Sequence, residues 1–211
     1  MTIPDFHGCE ELKIYLLPIR PPPCFSFIFS VMSTPLSSKN WYAFKVFFNK
    51  VFEIAELLEK SHIESYFPTE TVVVVKNGKK KKELKPVISS LLFIKCTQQE
   101  VIEQQRLLTD RVILYTHFTE AGKVPAQIPN DEMERFKLVA SSGQEGLEFF
   151  GNDCEEFHQG EHVRVIDGPF KGAEGYIRRV RHDHRLFVTV RGVCAVATSY
   201  IPRCHLQKIN D

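Results

Sequence analysis

The sequence predicts an α+β domain followed by a small all-β domain, and three observations support this. Residues 40–141 alternate between short apolar runs typical of strands and segments with helical periodicity. Ser141–Gly151 is rich in serine and glycine, which is typical of a linker. Phe157–Asp211 contains short strands without helical periodicity and has the length of a five-stranded barrel. We therefore expect a leader at 1–39, a first domain at 40–141, a linker at 142–156 and a second domain at 157–211.

The bulk composition is that of an ordinary globular protein. The 211 residues carry a formal net charge of +1, so any nucleic-acid surface must be a local basic patch. The six cysteines form no CxxC pair, and their spacing indicates neither a zinc site nor a disulfide framework. We expect reduced thiols, a cytoplasmic location, no metal and no cofactor.

The leader is apolar between Leu12 and Val31, but Pro18 and the run Pro21–Pro23 interrupt it. Proline inside a helix costs about 3 kcal/mol, which argues against a membrane-spanning helix. The acidic start argues against a secretion signal. A further hypothesis is that translation starts at Met32.

In the first domain, Asn40–Val46 is predicted to be a strand, and Asn49 to cap the helix that follows it. That helix buries one face, formed by Val51, Ile54, Ala55 and Leu58. Ile63–Pro68 and Val72–Val75 are predicted as the next two strands.

Asn77-Gly78 predicts a hairpin turn, because both residues tolerate positive φ. A lysine run surrounds this turn: Lys76, Lys79, Lys80, Lys81, Lys82 and Lys85. Such a run forms either a solvated loop or a contact with nucleic-acid phosphate. No aromatic residue lies among these lysines, so base stacking is not expected at this tip.

The rest of the first domain continues the alternation. Pro86–Cys96 is predicted as a buried strand with an irregular start at Ser89-Ser90. Thr97 and Glu100 form a capping-box pattern that opens a helix through Leu108. Arg111–Phe118 is predicted as a strand. Asn130 is predicted to cap a third helix, in which Met133, Phe136 and Ala140 share a face.

The segment Gly160–Ile177 holds the most specific motif of the chain. Val163 and Val165 start a half-buried strand, which Asp167-Gly168-Pro169 ends. Gly172 and Gly175 then bracket a tight loop, and Tyr176–Arg181 returns as a strand. The alternative is a plain β-hairpin with turn glycines. The spacing nevertheless resembles the KOW motif of transcription factors and ribosomal proteins; the matching positions are Gly160, Val163, Val165, Gly168, Pro169, Phe170, Gly172 and Gly175.

The order of these features resembles the NusG family of transcription elongation factors. The resemblance rests on Trp41-Tyr42-Ala43, Pro86–Phe93, Pro125–Pro129 and Gly168–Gly172. Within that family the chain looks most like the UpxY-type antiterminators of Bacteroides capsular polysaccharide operons. The resemblance implies an NGN-like α+β domain, joined by a flexible linker to an SH3-like KOW barrel.

The resemblance also implies the partners. An apolar patch of the first domain would bind the clamp helices of the largest RNA polymerase subunit and keep the clamp closed. By position the patch comprises Tyr42, Val87, Ile88, Leu91 and Phe93, with Ser89-Ser90 in place of the family's Pro-Gly. Non-template DNA or nascent RNA would contact Lys79, Lys80, Lys81, Lys82 and the helix start at Asn49-Lys50. The KOW domain would recruit a ribosomal protein or the termination factor Rho, with Pro169-Phe170-Lys171 as the candidate loop. We expect a monomer that binds no membrane.

Two other functions are weighed against this one. A ribosome-associated RNA-binding KOW protein usually carries a strong basic excess, and a net charge of +1 argues against it. An enzyme would use Cys154 or Cys194 as its nucleophile. Cys154 with His158, or Cys204 with His205, supplies too few ligands for a metal site. The sequence shows no phosphate-cradling loop or nucleophile elbow, so we expect no enzymatic activity.

Overall fold

The computed structural model describes residues 38–76, 78–120, 122–151, 160–180 and 183–209, which belong to one compact unit. The predicted leader, apart from its last two residues, lies outside these ranges together with Met32, Cys154 and His158. The described chain forms three α-helices and antiparallel sheets, and it ends in a C-terminal sheet domain. The predicted α+β fold class is therefore confirmed.

Strands and helices follow one another along the chain. The first part contains β1 (Asn40–Val46), α1 (Val51–Lys60), β2 (Glu64–Tyr66), β3 (Thr69–Lys76), β4 (Lys79–Pro86), β5 (Leu91–Cys96), α2 (Gln98–Leu107), β6 (Val112–Leu114), β7 (Thr116–Thr119), β8 (Gly122–Pro125) and α3 (Asn130–Ala140). The C-terminal part contains β9 (Glu148–Phe150), β10 (Glu161–Val165), β11 (Glu174–Val180), β12 (Asp183–Val190), β13 (Cys194–Tyr200), a 3₁₀ turn (Arg203–His205) and β14 (Leu206–Lys208).

The first sheet has the strand order β2-β5-β1-β6, with β1 and β5 at its centre. Successive side chains of a strand point to opposite faces, so the apolar run of β1 supplies both sides of the sheet. One face carries Tyr42 and Phe44 and packs with Ile54 and Leu58 of α1. The other face carries Trp41, Ala43, Leu91 and Phe93, which belong to a second apolar cluster.

Two predicted helix caps are wrong, and the local backbone explains both. Asn49 has φ 54° and Lys50 is the N-cap of α1 without a side-chain bond, whereas a capping asparagine needs an extended backbone. Asn130 is already helical, because the extended Pro129 takes the cap position. The capping box of α2 is confirmed: Thr97 and Glu100 each accept a hydrogen bond from the other's backbone N–H.

The lysine run is a strand rather than a loop. β3 and β4 pair along their whole length as a two-stranded ribbon, with Val73 opposite Lys82 and Val75 opposite Lys80. Lys76 pairs with Lys79 across the predicted two-residue turn, in which Gly78 has φ 74°. The predicted hairpin is thus confirmed, and its second strand carries the charge.

The predicted strand Arg111–Phe118 is divided in two. β6 pairs with β1, while β7 pairs with β8 in a separate hairpin. Tyr115 separates them, and its backbone N–H donates to Ala43 O at 3.0 Å. The strand pattern of the sequence runs through both segments, so it does not show that the pairing partner changes from β1 to β8 at Tyr115.

The C-terminal sheet has the order β14-β10-β11-β12-β13-β9, one strand more than the five we expected. The extra strand β9 lies within the segment predicted to be a linker and pairs with β13. Gly175 lies inside β11 rather than in a loop. A Cβ atom there would lie 2.2 Å from Phe187 O, so the glycine permits the close approach of β12.

Candidate functional site

The residues predicted to bind polymerase lie on both faces of the first sheet. Leu91 and Phe93 share a face with Trp41 and Ala43, because Phe93 pairs with Ala43 and Leu91 with Lys45. Tyr42 points to the opposite face and is fully buried with α1. The five predicted residues therefore do not form one surface, and Tyr42 contributes to the core behind it.

Helix α3 covers the Leu91–Phe93 face and separates it from the C-terminal sheet. The Phe136 ring centroid lies 5.6 Å from that of Phe93 and 6.5 Å from that of Phe149 in β9. The same apolar cluster includes Val188 and Val196 of the C-terminal sheet. Leu91 and Phe93 are 2% and 0% exposed, so the first domain and the C-terminal sheet share one core.

The exposed part of this face lies at its edge. Val87 and Ile88 are half-buried in the turn before β5, where Leu91 N donates to Ile88 O at 3.3 Å. Ile113 pairs with Lys45 and is 47% exposed. Ile113 was not predicted as a site residue. Its position between Val112 and Leu114 is the signal that could have identified it, because these two residues are buried in β6 and Ile113 therefore faces the other way.

Polar contacts fasten α3 to the C-terminal sheet. Glu132 is 8% exposed, and its carboxylate accepts a hydrogen bond from Arg191 N at 2.5 Å. The Arg135 guanidinium lies 3.5 Å from the Glu174 carboxylate, which Arg164 also contacts at 2.5 Å. These contacts fix the position of α3 relative to the C-terminal sheet.

A cation–π cluster fixes the last turn of α3 on the first sheet. Lys137 Nζ lies 3.8 Å from the ring centroid of Trp41 and 4.9 Å from that of Tyr66. Burial lowers the pKa of Lys137, and Glu64 at 3.8 Å opposes that shift. The Tyr66 and Ser141 hydroxyls are hydrogen-bonded at 2.8 Å, and burial raises the pKa of Tyr66.

The β3–β4 ribbon exposes both apolar and basic side chains. Val73, Val75 and Leu84 are 58%, 64% and 55% exposed, and they share a face with Lys80 and Lys82 because their cross-strand partners place them there. Among the described ribbon residues this face bears no carboxylate.

The opposite face of the ribbon carries an ion pair. Lys76 Nζ lies 2.6 Å from Glu83 Oε1, and this hydrogen bond is the main reason that the pKa of Glu83 is lowered. Lys79 and Lys81 lie on the same face as this pair. Lys80 and Lys82, which have no carboxylate on their face, therefore lie beside the exposed Val73 and Val75.

Lys50, the remaining predicted nucleic-acid residue, lies at a different corner of the domain. It forms an ion pair with Glu53 at 3.1 Å, and Arg111 contacts the same carboxylate at 2.9 Å. The neighbouring Phe48 is 80% exposed. Phe48 was not predicted as a site residue, and nothing in its sequence context indicates this exposure.

The glycine motif of the C-terminal domain builds the sheet rather than a surface. Val163, Val165 and Phe170 are at most 3% exposed and lie in the shared core. In the candidate partner loop, Pro169 and Lys171 are exposed, while Phe170 is turned inward. An anchor role for the Phe170 ring would require a change in conformation.

Two of the described cysteines are buried, whereas Cys204 is exposed. Burial raises the pKa of Cys96 to about 12, and Cys194 is also buried. Within the described ranges, no group of three histidine, cysteine or acidic side chains is placed to hold a metal ion. None of the helices seen there has the length and apolarity to span a bilayer.

Comparisons with known proteins relate this chain to other sequences and structures. The family model described as "Transcription termination factor nusG" matches residues 39–137. A transcription termination/antitermination protein NusG of Pseudomonas aeruginosa is 31% identical over 127 residues, which are 60% of this chain and 68% of that protein. A solved structure titled "Domain interaction in Thermotoga maritima NusG" is 20% identical, with a TM-score of 0.40, and covers 82% of this chain and 98% of its own. By its sequence, the chain belongs to the NusG family of transcription termination and antitermination factors.

Proposed function

We propose that this protein is a transcription elongation factor whose first domain binds the clamp helices of the largest RNA polymerase subunit. The observation that carries the proposal is the apolar face of β1 and β5 in a chain of the NusG family. A direct test is capture of RNA polymerase from a lysate by the purified chain. Enrichment of ribosomal RNA instead would favour the alternative, a ribosome-associated RNA-binding protein.

The contact would begin at the exposed edge of that face. Ile88 and Ile113 are accessible, and they border the side on which Leu91 and Phe93 lie. An apolar strip of this kind suits the apolar stripe of a helix, which is how helix-in-groove contacts are built. Lys45, exposed beside Ile113, would add a charge at the rim.

The C-terminal sheet would compete with polymerase for the side of α3 that faces away from β1 and β5. Phe136 packs between Phe93 and Phe149, so separation of the sheet from α3 would uncover apolar side chains. Exposed apolar area favours burial against a partner at about 25 cal/mol per Å². Polymerase binding and release of the sheet are then one coupled equilibrium.

The effect on transcription would be a population shift. Polymerase moves between a paused state with an open clamp and an elongating state with a closed clamp. A factor that binds the closed state more tightly favours elongation, and about 1.4 kcal/mol of differential affinity changes the ratio tenfold. No covalent step is required of the factor.

The narrower role would be that of an operon-specific antiterminator of the UpxY type. The support is the likeness of the sequence to those antiterminators within the family, whereas the segments Pro125–Pro129 and Gly168–Gly172 support the family as a whole. The released C-terminal domain would recruit a ribosomal protein or Rho. Chromatin crosslinking distinguishes the roles, because one occupied locus indicates a specialised factor and broad coverage a general one.

The β3–β4 ribbon would contact single-stranded nucleic acid in the transcription bubble. We expect Lys80→Gln with Lys82→Gln to weaken binding of single-stranded DNA and to reduce the slope of log K against log salt. Each phosphate contact on a single strand accounts for about 0.7 of that slope, so the double variant should lose about 1.4. The measurement is fluorescence anisotropy of a labelled oligonucleotide over a salt series.

Lys171→Gln with Lys208→Gln is the matched control, because it removes the same charge from exposed sites in the C-terminal domain. We expect it to retain the wild-type slope. Equal losses from both double variants would show that net charge acts instead of the ribbon, and would contradict this contact.

A further inference from the structure

The C-terminal sheet contains a cavity of about 640 Å³ that the proposed contacts with polymerase and nucleic acid do not use. Its volume lies within the range of small-molecule sites, which is about 300–1,000 Å³. Three strands supply its apolar lining, which comprises Val163, Ile177 and Leu206. Its polar lining is mainly basic and comprises Glu161, Arg179, His184, Arg203 and Lys208.

Strand pairing brings two of these basic side chains together. Arg179 of β11 pairs with His184 of β12. Directly paired residues of an antiparallel sheet point to the same face, with Cβ atoms about 4.5–5.5 Å apart. Leu186 lies two residues after His184 and is buried, so it shares that face. The basic pair therefore continues the apolar face of the sheet at the point where its buried side chains end.

The 3₁₀ turn after β13 adds a second guanidinium to the pair. Ile201 N donates to His184 O at 3.2 Å, which holds the chain before this turn against β12. The Arg203 guanidinium, which has no acceptor atom, donates to His184 Nε2 at 2.9 Å. Arg179 and Arg203 are therefore both neighbours of one imidazole ring.

Arg179, His184 and Arg203 form a basic cluster whose charge is not balanced locally. Within the ranges that the structure describes, neither guanidinium forms an ion pair with a carboxylate. The carboxylate of Glu161 lies in the same cavity, but it is 3.3 Å from Lys208 Nζ. Like charges placed opposite each other destabilise a sheet, so a bound anion would remove a cost that the free protein carries.

We propose that the basic cluster binds the phosphate group of a small phosphorylated molecule. A guanidinium binds phosphate through two parallel N–H···O bonds, which a lysine ammonium cannot form. Two guanidinium groups beside one imidazole match the charge of a single phosphate dianion. A nucleic-acid backbone instead requires cations that are spaced along a groove.

The rest of the cavity favours a small ligand over a nucleic acid. No phenylalanine, tyrosine or tryptophan is among the described residues that line it, so no such ring is available to stack on a base. Its aliphatic side chains contact the carbon skeleton of the ligand. The site is also separate from the candidate partner loop, because Glu161 begins β10 and the loop Pro169-Phe170-Lys171 follows the end of that strand.

The test is calorimetric titration of inorganic pyrophosphate into the full chain. We expect saturable binding, which Arg179→Gln and Arg203→Gln each weaken at least tenfold because each removes a charge-assisted contact. Arg178→Gln is the matched control, because it removes the same charge from the opposite face of β11. The Arg178 guanidinium lies 5.9 Å from the Phe187 ring centroid, and its loss should leave pyrophosphate binding unchanged.

The melting temperature separates a binding role from a structural one. Without ligand, Arg179→Gln should not lower the melting temperature, because it removes one of several adjacent positive charges. Pyrophosphate should raise the melting temperature of the wild type but not that of Arg179→Gln. A purely structural cluster would give a lower melting temperature for Arg179→Gln and no effect of pyrophosphate on either protein.

Several results would overturn the inference. They are the absence of pyrophosphate binding at millimolar concentration and an equal loss of binding in Arg178→Gln. Citrate binding as tight as that of pyrophosphate would assign the cluster to carboxylates. A single-stranded DNA oligonucleotide whose affinity falls with Arg179→Gln would assign it to nucleic acid. Polymerase takes no part in these measurements, so failure of this inference would leave the proposed function unaffected.

Discussion

Ile88→Asp is expected to reduce the affinity for RNA polymerase at least a hundredfold while the fold is retained. Ile88 is half-buried in the turn before β5, at the accessible edge of the Leu91–Phe93 face. In the free protein an aspartate there can turn toward water. In the complex its charge would be buried against an apolar helix, which costs several kcal/mol unless it is paired. The measurement is titration of the variant into polymerase.

Ile88→Val is the matched control, because it retains an apolar side chain of similar shape and should bind within a few-fold of wild type. The circular dichroism spectrum of Ile88→Asp should match that of the native protein. Undiminished affinity together with a native spectrum would remove this edge from the proposed contact.

Glu132→Arg is expected to release the C-terminal sheet and to raise polymerase affinity about tenfold. The substitution removes the acceptor for Arg191 N and places a cation among Arg135 and Arg191. A buried donor left without a partner costs about 1–3 kcal/mol, and this cost falls on the docked state alone. Because only the released state exposes the α3 surface, apparent affinity rises with the released fraction.

Two measurements are needed for Glu132→Arg. Proteolysis within 141–151 should become faster, which reports release, and polymerase titration reports affinity. Glu132→Gln is the control, because its amide oxygen still accepts the hydrogen bond, and it should behave as wild type. Faster proteolysis without tighter polymerase binding would contradict competition between the sheet and polymerase.

Local patterns were sufficient to predict several of the elements. The apolar run of β1, the helical face of α1 and the capping box of α2 are each set by residues within about four positions of one another. The Asn-Gly turn likewise fixed the pairing of β3 with β4, although the lysines after it resembled a loop. These features depend little on the rest of the molecule.

Features that depend on contacts distant in sequence could not be predicted. Leu91 and Phe93 have the pattern of an apolar patch, and only the position of Phe136 and Phe149 shows that they are covered. In the sequence, Glu132 resembles any acidic residue on the face of a helix. Its role depends on the hydrogen bond that it accepts from the backbone N–H of Arg191, 59 residues later. Phe48 carries no sequence signal for its backbone conformation, which the hydrogen bond from Phe47 N to Arg111 O helps to impose.

The central claim is that the edge of the first sheet near Ile88 lies against the polymerase clamp helices. A photo-crosslinking amino acid placed at position 88 of the full chain, in a stalled elongation complex, tests it most directly. The same label at position 107, where Leu107 is 71% exposed on α2, is the control. We predict crosslinks from position 88 to the clamp helices and none from position 107. Crosslinks from position 107 alone, or none from position 88 in a complex that contains the factor, would contradict the claim.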